Sequence, residues 1–503
     1  MNNEYTIVSL LMSALLLSAC SGDDGSDGTS GQNGSNALVS VSTLSIGSEQ
    51  CAMGGQLLQS GLDVNANGVL DESEIDDAQS QAICHGQGST LKAELVGRYQ
   101  SGIYGLSAAE IVDFHPLSKQ IFVINAKSGK VDVLNAVDID VNDAVSGSGA
   151  LALNNIVKIT DIDVAADVDL THLGGVNSLS VYGDLLAVAI ERGDELGNSK
   201  QANGFVAFYR INEAGETSYL HAVEVGALPD NVTFNRNGSL LIVANEGEPN
   251  AAYNVDPEGS ISIVVIEDNM PATTATAIGF TDFNMGGARE NELDSMIKIN
   301  GPNATVAQDL EPEYIAVSED NHKAYVSLQE NNAIAVIDLE NKKIESILPL
   351  GLKDYGLVNN RIDASDKDSR IHFSTYAGVY GMYQPDTISS YQWQRANFIV
   401  TANEGDARDY DGFSEEVRVD DLILDPGHPQ LSAAQDKTQL GRLKVTTSMG
   451  DIDFDGDVDQ IISYGARSFS IWDEHGNQVF DSGSEFSRIT AAVLGRNFNN
   501  NND

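Results

Sequence analysis

PDNVTFNRNGSLLIVANE, residues 229–246, decides the fold. VTF and LLIVA are apolar runs rich in β-branched residues, and NRNG between them is a polar turn, so the unit reads as a β-hairpin. It opens on a Pro-acid step and closes on a glutamate. The same layout returns at residues 312–330, PEYIAVSEDNHKAYVSLQE, and at residues 385–404, PDTISSYQWQRANFIVTANE. In all three the closing glutamate stands 17 to 19 residues after the proline.

Less regular copies are IVDFHPLSKQIFVINAKSGKVDVLNA from residue 111, SLSVYGDLLAVAIERGD from residue 178 and DQIISYGARSFSIWDEHGNQVF from residue 459. Sheet units recurring at a period of tens of residues fit an all-β chain folded as a β-propeller, here with six to seven blades. Unrelated sandwiches would not share this phase. The chain has 503 residues, and one propeller can absorb most of that length because each blade buries its faces against its neighbours.

The formal charge of −46 comes from 74 acidic and 28 basic residues. It excludes nucleic acid as a partner, since phosphate contacts need Lys and Arg. Cations and cationic or matrix surfaces fit better; a second reading is that the acidity only keeps an exported chain soluble.

Residues 7–17 are apolar, too short to span a bilayer but long enough for a signal-peptide core. Leu17-Ser18-Ala19-Cys20 follows and resembles a lipobox, with lipid on Cys20. The flank MNNEYT departs from the usual pattern in having no basic residue. Residues 1–19 are thus expected to be a lipoprotein signal peptide. Residues 20–36, mostly Gly, Ser, Asp and Asn, are expected to be a tether. Ser21 rather than Asp after the cysteine implies transfer to the outer membrane as a lipoprotein, with a periplasmic or secreted chain as the alternative. Removing Cys20 from the count leaves Cys51 and Cys84, which in an exported chain are expected to pair as a disulfide. They bracket a small module at residues 37–90, followed by the propeller at residues 91–503.

Two stretches read as calcium loops. In GLDVNANGVLDESEI, residues Asp63, Asn65, Asn67, Gly68, Val69, Asp71 and Glu74 fall at positions 1, 3, 5, 6, 7, 9 and 12 of an EF-hand loop. Oxygen ligands at that spacing wrap a hard cation, with the Val69 carbonyl among them and Glu74 able to bind through both oxygens. DESEIDDAQSQAIC then reads as a short helix leaving the loop. In DIDFDGDVDQII, residues Asp451, Asp453, Asp455, Asp457 and Asp459 supply the front half of such a loop, while Ile462 stands where the glutamate belongs. Its ligand set must be completed from elsewhere in the chain or by water.

The shared phase of the hairpins places Asp230, Glu246, Glu313, Glu330, Asp386 and Glu404 around one channel mouth, with Asp406, Asp409, Arg408 and Arg467 beside them. Converging carboxylates repel unless a cation neutralises them or protons bind. Two readings stay open: an ion site, or acids capping turns with Arg408 and Arg467 as countercharges.

GGVNSLSV, LPDNVTFNRNGSLLIVANEGEPN, IDASDKD, GMYQPDTI, TANEGDARDYDGFSEEVRV and DIDFDGDVDQIISYGARSFSIWD together resemble the choice-of-anchor I family of exported bacterial β-propellers. The resemblance runs from about residue 95 to the end. The block with Asn403, Glu404, Asp406, Arg408, Asp409 and Tyr410 is its most specific part. It implies a cell-surface protein whose means of attachment differs between members. Relatives continue past YGARSFSIWD with a further unit, so the last blade is expected to be missing here. Residues 37–90 resemble a separate cysteine-bracketed module found ahead of exported bacterial domains.

The chain has no GxSxG, HExxH or Walker loop, and its eight histidines show no metal-ligand spacing. Two functions remain. One is a calcium-binding, lipid-anchored surface propeller acting as a binding or adhesion module. The alternative, implied by a phosphatase label carried by some relatives, is a metal-dependent phosphoesterase in which Glu246, Glu404, Asp406 and Asp409 hold metal and Arg408 or Arg467 clamps phosphate.

Overall fold

The computed structural model describes residues 36–46, 50–51, 53–65, 67–84, 94–140, 142 and 152–498. The expected signal peptide, Cys20 and almost all of the expected tether lie outside these residues. The chain divides into two compact units, residues 1–93 and 94–503.

In the first unit β1 (Asn36–Ile46), β2 (Met53–Asp63) and β3 (Gln81–Cys84) form one antiparallel sheet in that order. Val39 and Val41 are exposed, so so small a sheet gains little from burial and needs a staple. The Cys51–Cys84 disulfide supplies it, with the two Cα atoms 5.1 Å apart. The helix expected after Glu74 does not form. Ile75 instead bridges Gly61, and the Asp76 N–H donates to the Ser60 carbonyl at 2.8 Å. These bonds to β2 hold the chain extended, leaving only short 3-10 turns at Glu72–Glu74 and Asp77–Gln79.

The second unit is built of radial sheets. β4 (Val112–His115), β5 (Gln120–Asn125), β6 (Lys130–Asn135) and β7 (Val157–Ile162) make the first. β8 (Leu173–Tyr182), β9 (Leu185–Arg192), β10 (Ala202–Ile211) and β11 (Thr217–Ala227) make the second. The third contains β12 (Pro229–Phe234), β13 (Leu240–Asn245) and β14 (Ser260–Glu267), edged by β15 (Met270–Pro271) and β16 (Thr276–Gly279). The fourth is β17 (Ile315–Val317), β18 (Lys323–Leu328), β19 (Ala333–Asp338) and β20 (Lys343–Pro349). The first strands of successive sheets pack on one another and are the inner strands.

A central strand of such a sheet is covered on both faces, which is why it reads as an unbroken apolar run. In β9, Leu186, Val188 and Ile190 join Phe122 and Val133 of the first sheet, while Leu185, Ala187 and Ala189 join Leu241 and Val243 of the third. In β13 the other set, Ile242 and Ala244, packs on Ala324 and Val326 of the fourth. Side chains alternate between faces, so one strand ties three blades together.

After the fourth sheet come β21 (Leu352–Asp354), β22 (Val379–Met382), β23 (Pro385–Trp393), β24 (Ala396–Asn403), β25 (Asp409–Tyr410), β26 (Phe413–Ser414) and β27 (Glu416–Arg418). Then follow β28 (Lys444–Thr446), β29 (Ile461–Ser463), β30 (Ser468–Asp473) and β31 (Gln478–Asp481). The fifth radial sheet is β23-β24-β30-β31, and it meets the fourth through Tyr325, Ile334, Ile399 and Trp472. The sixth hairpin expected at residues 459–480 is therefore divided. β30 and β31 complete the fifth blade by pairing on β24, Thr401 opposite Ser470. β29 leaves for a separate sheet, β21-β22-β29-β28-β27, where it runs parallel to β22. The architecture is the all-β propeller expected, with five radial sheets among the described residues against the six to seven blades that the hairpins imply.

Candidate cation-binding sites

Glu246 directly follows β13, Glu313 lies just before β17, and Glu330 lies just after β18, so two neighbouring blades deliver all three to the inner strand ends. Backbone bonds fix them there: the Glu246 N–H donates to the Leu228 carbonyl at 2.9 Å and the Glu313 N–H to the Ser327 carbonyl at 3.0 Å. Their carboxylate oxygens lie within 4.8 Å of one another. Glu330 is only 6% exposed, and its Oε2 is buried without a hydrogen-bond partner; Glu313 Oε2 is in the same condition.

Burial, and then the neighbouring acids, push these groups toward the neutral form. Glu246 is raised well above the usual carboxylate range by burial and by Asp230, and Glu313 by burial and by Glu330. Glu330 is raised by burial and by Asp406, against the pull of Arg408. Asp230 is pushed up to about 7 by burial, with Asp386, Glu110 and Glu248 adding to the shift and Lys200 opposing it. Asp386 is raised by burial and then by Glu404. The acids of successive blades thus feel one another's charge.

Arg408 is 1% exposed and lies between Asp309 Oδ1 at 2.9 Å and Glu311 Oε2 at 3.0 Å. It also donates to the Tyr253 hydroxyl at 2.9 Å and the Asp309 carbonyl at 2.7 Å. Burial alone would weaken its charge, but Glu311 and Asp309 raise its pKa well above the ordinary arginine value. A guanidinium held in this way has no face for phosphate, so the clamp role considered for Arg408 is corrected. Lys298 is likewise buried against Glu415, and Lys200 Nζ sits 2.9 Å from Glu248 Oε2. Arg467 lines a cavity of about 590 Å³ with Asp406 and Tyr464, and a shallower one of about 290 Å³ with Glu404. Glu404, Asp406 and Asp409 are exposed, and none of them belongs to the Glu246 group.

The loop at residues 451–459 has its own geometry. Asp451, Asp453 and Asp459 bring oxygens within 4.8 Å of one another, as do Asp425, Asp457 and Asp459. Gly456 turns the chain at φ +101°, a conformation that favours glycine. Asp451 Oδ1 and Asp457 Oδ1 are buried without hydrogen-bond partners. Asp453 is raised by desolvation and by Asp455 and Asp459, and Asp457 by desolvation and by Asp455 and Asp425. Asp455 accepts the Asp457 N–H at 3.2 Å and stands outside both groups. Asp425 lies outside the loop's own stretch of sequence, so the spacing within that stretch does not reveal it. A parallel bridge between Leu424 and Val458 carries it to the loop, where its N–H donates to the Val458 carbonyl at 3.1 Å.

In the small unit, the loop from Asp63 to Glu74 closes on itself. Asp63 accepts the N–H groups of Asn67 at 3.0 Å and Gly68 at 2.9 Å. Glu74 Oε1 accepts from Val64 at 2.8 Å, and Glu74 Oε2 accepts the Asp71 N–H at 3.2 Å. Asn65 and Asn67 reach Asp71 Oδ2 at 2.6 and 2.9 Å, and Asn67 Oδ1 accepts the Val69 N–H at 2.7 Å. Gly68 takes φ +78° at the sharp turn. Position 12 is thereby folded back beside positions 1 to 3, the closure a cation-binding loop of this type needs.

The profile of the choice-of-anchor I domain family matches residues 110–503, and that of a domain of unknown function, DUF7151, matches residues 36–84. No curated protein matches the chain. Among solved structures, a functionally unknown protein from Desulfotomaculum acetoxidans is 11% identical, with 58% of this chain and 64% of that one covered at a TM-score of 0.30. This chain therefore spans less than two thirds of that protein's length. A protein from Lactobacillus plantarum is 13% identical, with 82% and 80% covered and a TM-score of 0.33. Hydrazine synthase from Kuenenia stuttgartiensis is 10% identical, with 78% and 68% covered and a TM-score of 0.31. Likenesses this distant do not bear on function.

Proposed function

The chain belongs to the choice-of-anchor I domain family, and on that premise we propose that it is a binding module displayed at the cell surface, braced by calcium and held by lipid on Cys20. Membership of the family supports a cell-surface or exported protein. The observation that carries the calcium reading is the convergence of Asp425, Asp451, Asp453, Asp457 and Asp459 around Gly456, with two buried carboxylate oxygens lacking any donor. Oxygen-only ligands suit a hard cation of calcium's size. The loop leads into β29, so an ion there would fix the start of that strand and the bridge to Leu424. An overall charge of −46 suits a cationic or matrix partner. No second function is carried forward: of the two guanidiniums that could clamp phosphate, Arg408 is closed off by Asp309 and Glu311, and although Arg467 lines a cavity with Asp406, Glu404, Asp406 and Asp409 do not join Glu246 in a metal-binding group.

Protease treatment of intact cells tests this reading. With calcium present the propeller should resist added protease, and chelation should expose it to cleavage while the cells remain whole. Cleavage only after the cells are broken would contradict surface display. Equal cleavage with and without chelator would contradict the calcium brace.

A further inference from the structure

We propose that Glu246, Glu313 and Glu330 hold a hard divalent cation at the inner strand ends of the third and fourth blades. The site is separate from both calcium loops and shares no residue with them.

The geometry suits one ion. Calcium binds carboxylate oxygens at about 2.4 Å, so two oxygens on opposite sides of it stand at most about 4.8 Å apart. The three carboxylates offer oxygens all within 4.8 Å. Independently of that spacing, Glu330 Oε2 is sealed from water on a side chain only 6% exposed and receives no hydrogen bond, and Glu313 Oε2 is orphaned in the same way. A buried carboxylate oxygen without a donor is costly unless a cation satisfies it.

Three basic groups that act on this acidic cluster are already engaged elsewhere. Arg408 is held by Asp309 and Glu311, Lys298 by Glu415, and Lys200 by Glu248. Arg408 and Lys298 favour the charged form of Glu330, yet neither forms an ion pair with it. An all-carboxylate set selects calcium or magnesium over softer metals. Glu246 and Glu313 are half-buried, which leaves room for water to complete the shell. The ion would join the end of β13 to the ends of β17 and β18, linking two blades at a point where packed side chains give way to carboxylates.

The experiment uses the full chain with both loops silenced by Glu74→Gln and Asp459→Asn. Binding of calcium and of magnesium is measured by titration calorimetry, with metal content of the dialysed protein as a second readout. The silenced chain is expected to retain a single bound divalent ion, and adding either Glu330→Gln or Glu313→Gln should abolish it. The chelated Glu330→Gln protein should melt no lower than its chelated parent, since the change removes a repelling charge. A silenced chain that binds neither ion, or one that keeps its ion after both glutamine changes, would overturn the proposal. Wild-type and silenced chains binding equal amounts would instead tell against the loops and leave this site standing.

Discussion

Arg408 Nη2 lies 3.0 Å from Glu311 Oε2, with both side chains fully enclosed, and it joins a residue after the fifth blade's β24 to one just ahead of the fourth blade's β17. The same nitrogen reaches Asp309 Oδ1 at 2.9 Å. Two buried carboxylates thus share one guanidinium as their ion-pair partner, Asp309 also accepting the N–H groups of Asn300 and Gly301 at 2.6 and 2.7 Å.

Replacing Arg408 with methionine should be among the most damaging single changes in the propeller. Removing one partner of a buried ionic group costs about 3–5 kcal/mol, because the remaining charges stay desolvated. Lysine should recover only part of the loss, since it lacks the planar fork that reaches both acids and the Tyr253 hydroxyl. The shift of the urea unfolding midpoint measures this; a midpoint within error of wild type would refute the role.

Asp256 should make stability depend on pH. Burial is the main reason its carboxyl is pushed up to about 6 from 3.8. Between those values the folded chain keeps a proton that the unfolded chain has released, so this group's contribution to stability falls as pH rises through the interval. Above it the folded state carries an unfavourable buried charge. Asp256→Asn should therefore stabilise the protein at pH 8 by about 1–2 kcal/mol after allowance for partial exposure, and the gain should vanish toward pH 4. Denaturant midpoints of both proteins across pH read this directly, and a gain independent of pH would contradict it.

Glu74→Ala should affect the small unit alone. Its carboxylate ties Val64 and Asp71 into the loop, while the propeller has separate cores. Two calorimetric transitions are expected, with only the one belonging to residues 36–84 lowered and made insensitive to calcium. Loss of the propeller transition would show that the two units do not melt independently.

Cys20→Ser should release the chain from the membrane fraction, because its attachment is proposed to rest on lipid at that sulfur. Fractionation of cells expressing each form measures it. Retention of the serine variant on membranes would rule out lipid on Cys20 as the anchor.

The hairpins were legible because their signal is local: an apolar run, a polar turn and a second run within residues 229–246, repeated in phase. The same phase puts Asp230, Glu246, Glu313, Glu330, Asp386 and Glu404 in one ring, of which Glu246, Glu313 and Glu330 bring carboxylate oxygens within 4.8 Å of one another. What stayed hidden depends on contacts between distant segments. Asp425 reaches the residue 451–459 loop only through the Leu424–Val458 bridge, and no local spacing announces it. Residues 459–480 look like a hairpin, yet β29 and β30 enter different sheets because β24 and β22 offer them separate open edges. Arg408 sits in an exposed-looking run of charges, and its burial follows from Asp309 and Glu311 about a hundred residues earlier.

The most direct measurement of the calcium brace is the melting of the full chain in calcium and in chelator, run beside Asp459→Ala. A ligand at about a hundredfold excess over its Kd stabilises the folded state by about 2.7 kcal/mol. The propeller transition of the wild type should therefore rise by several degrees with calcium, and Asp459→Ala, which removes the carboxylate shared by both halves of the loop, should lose a large part of that rise. Identical melting of the wild type in calcium and in chelator would contradict the account.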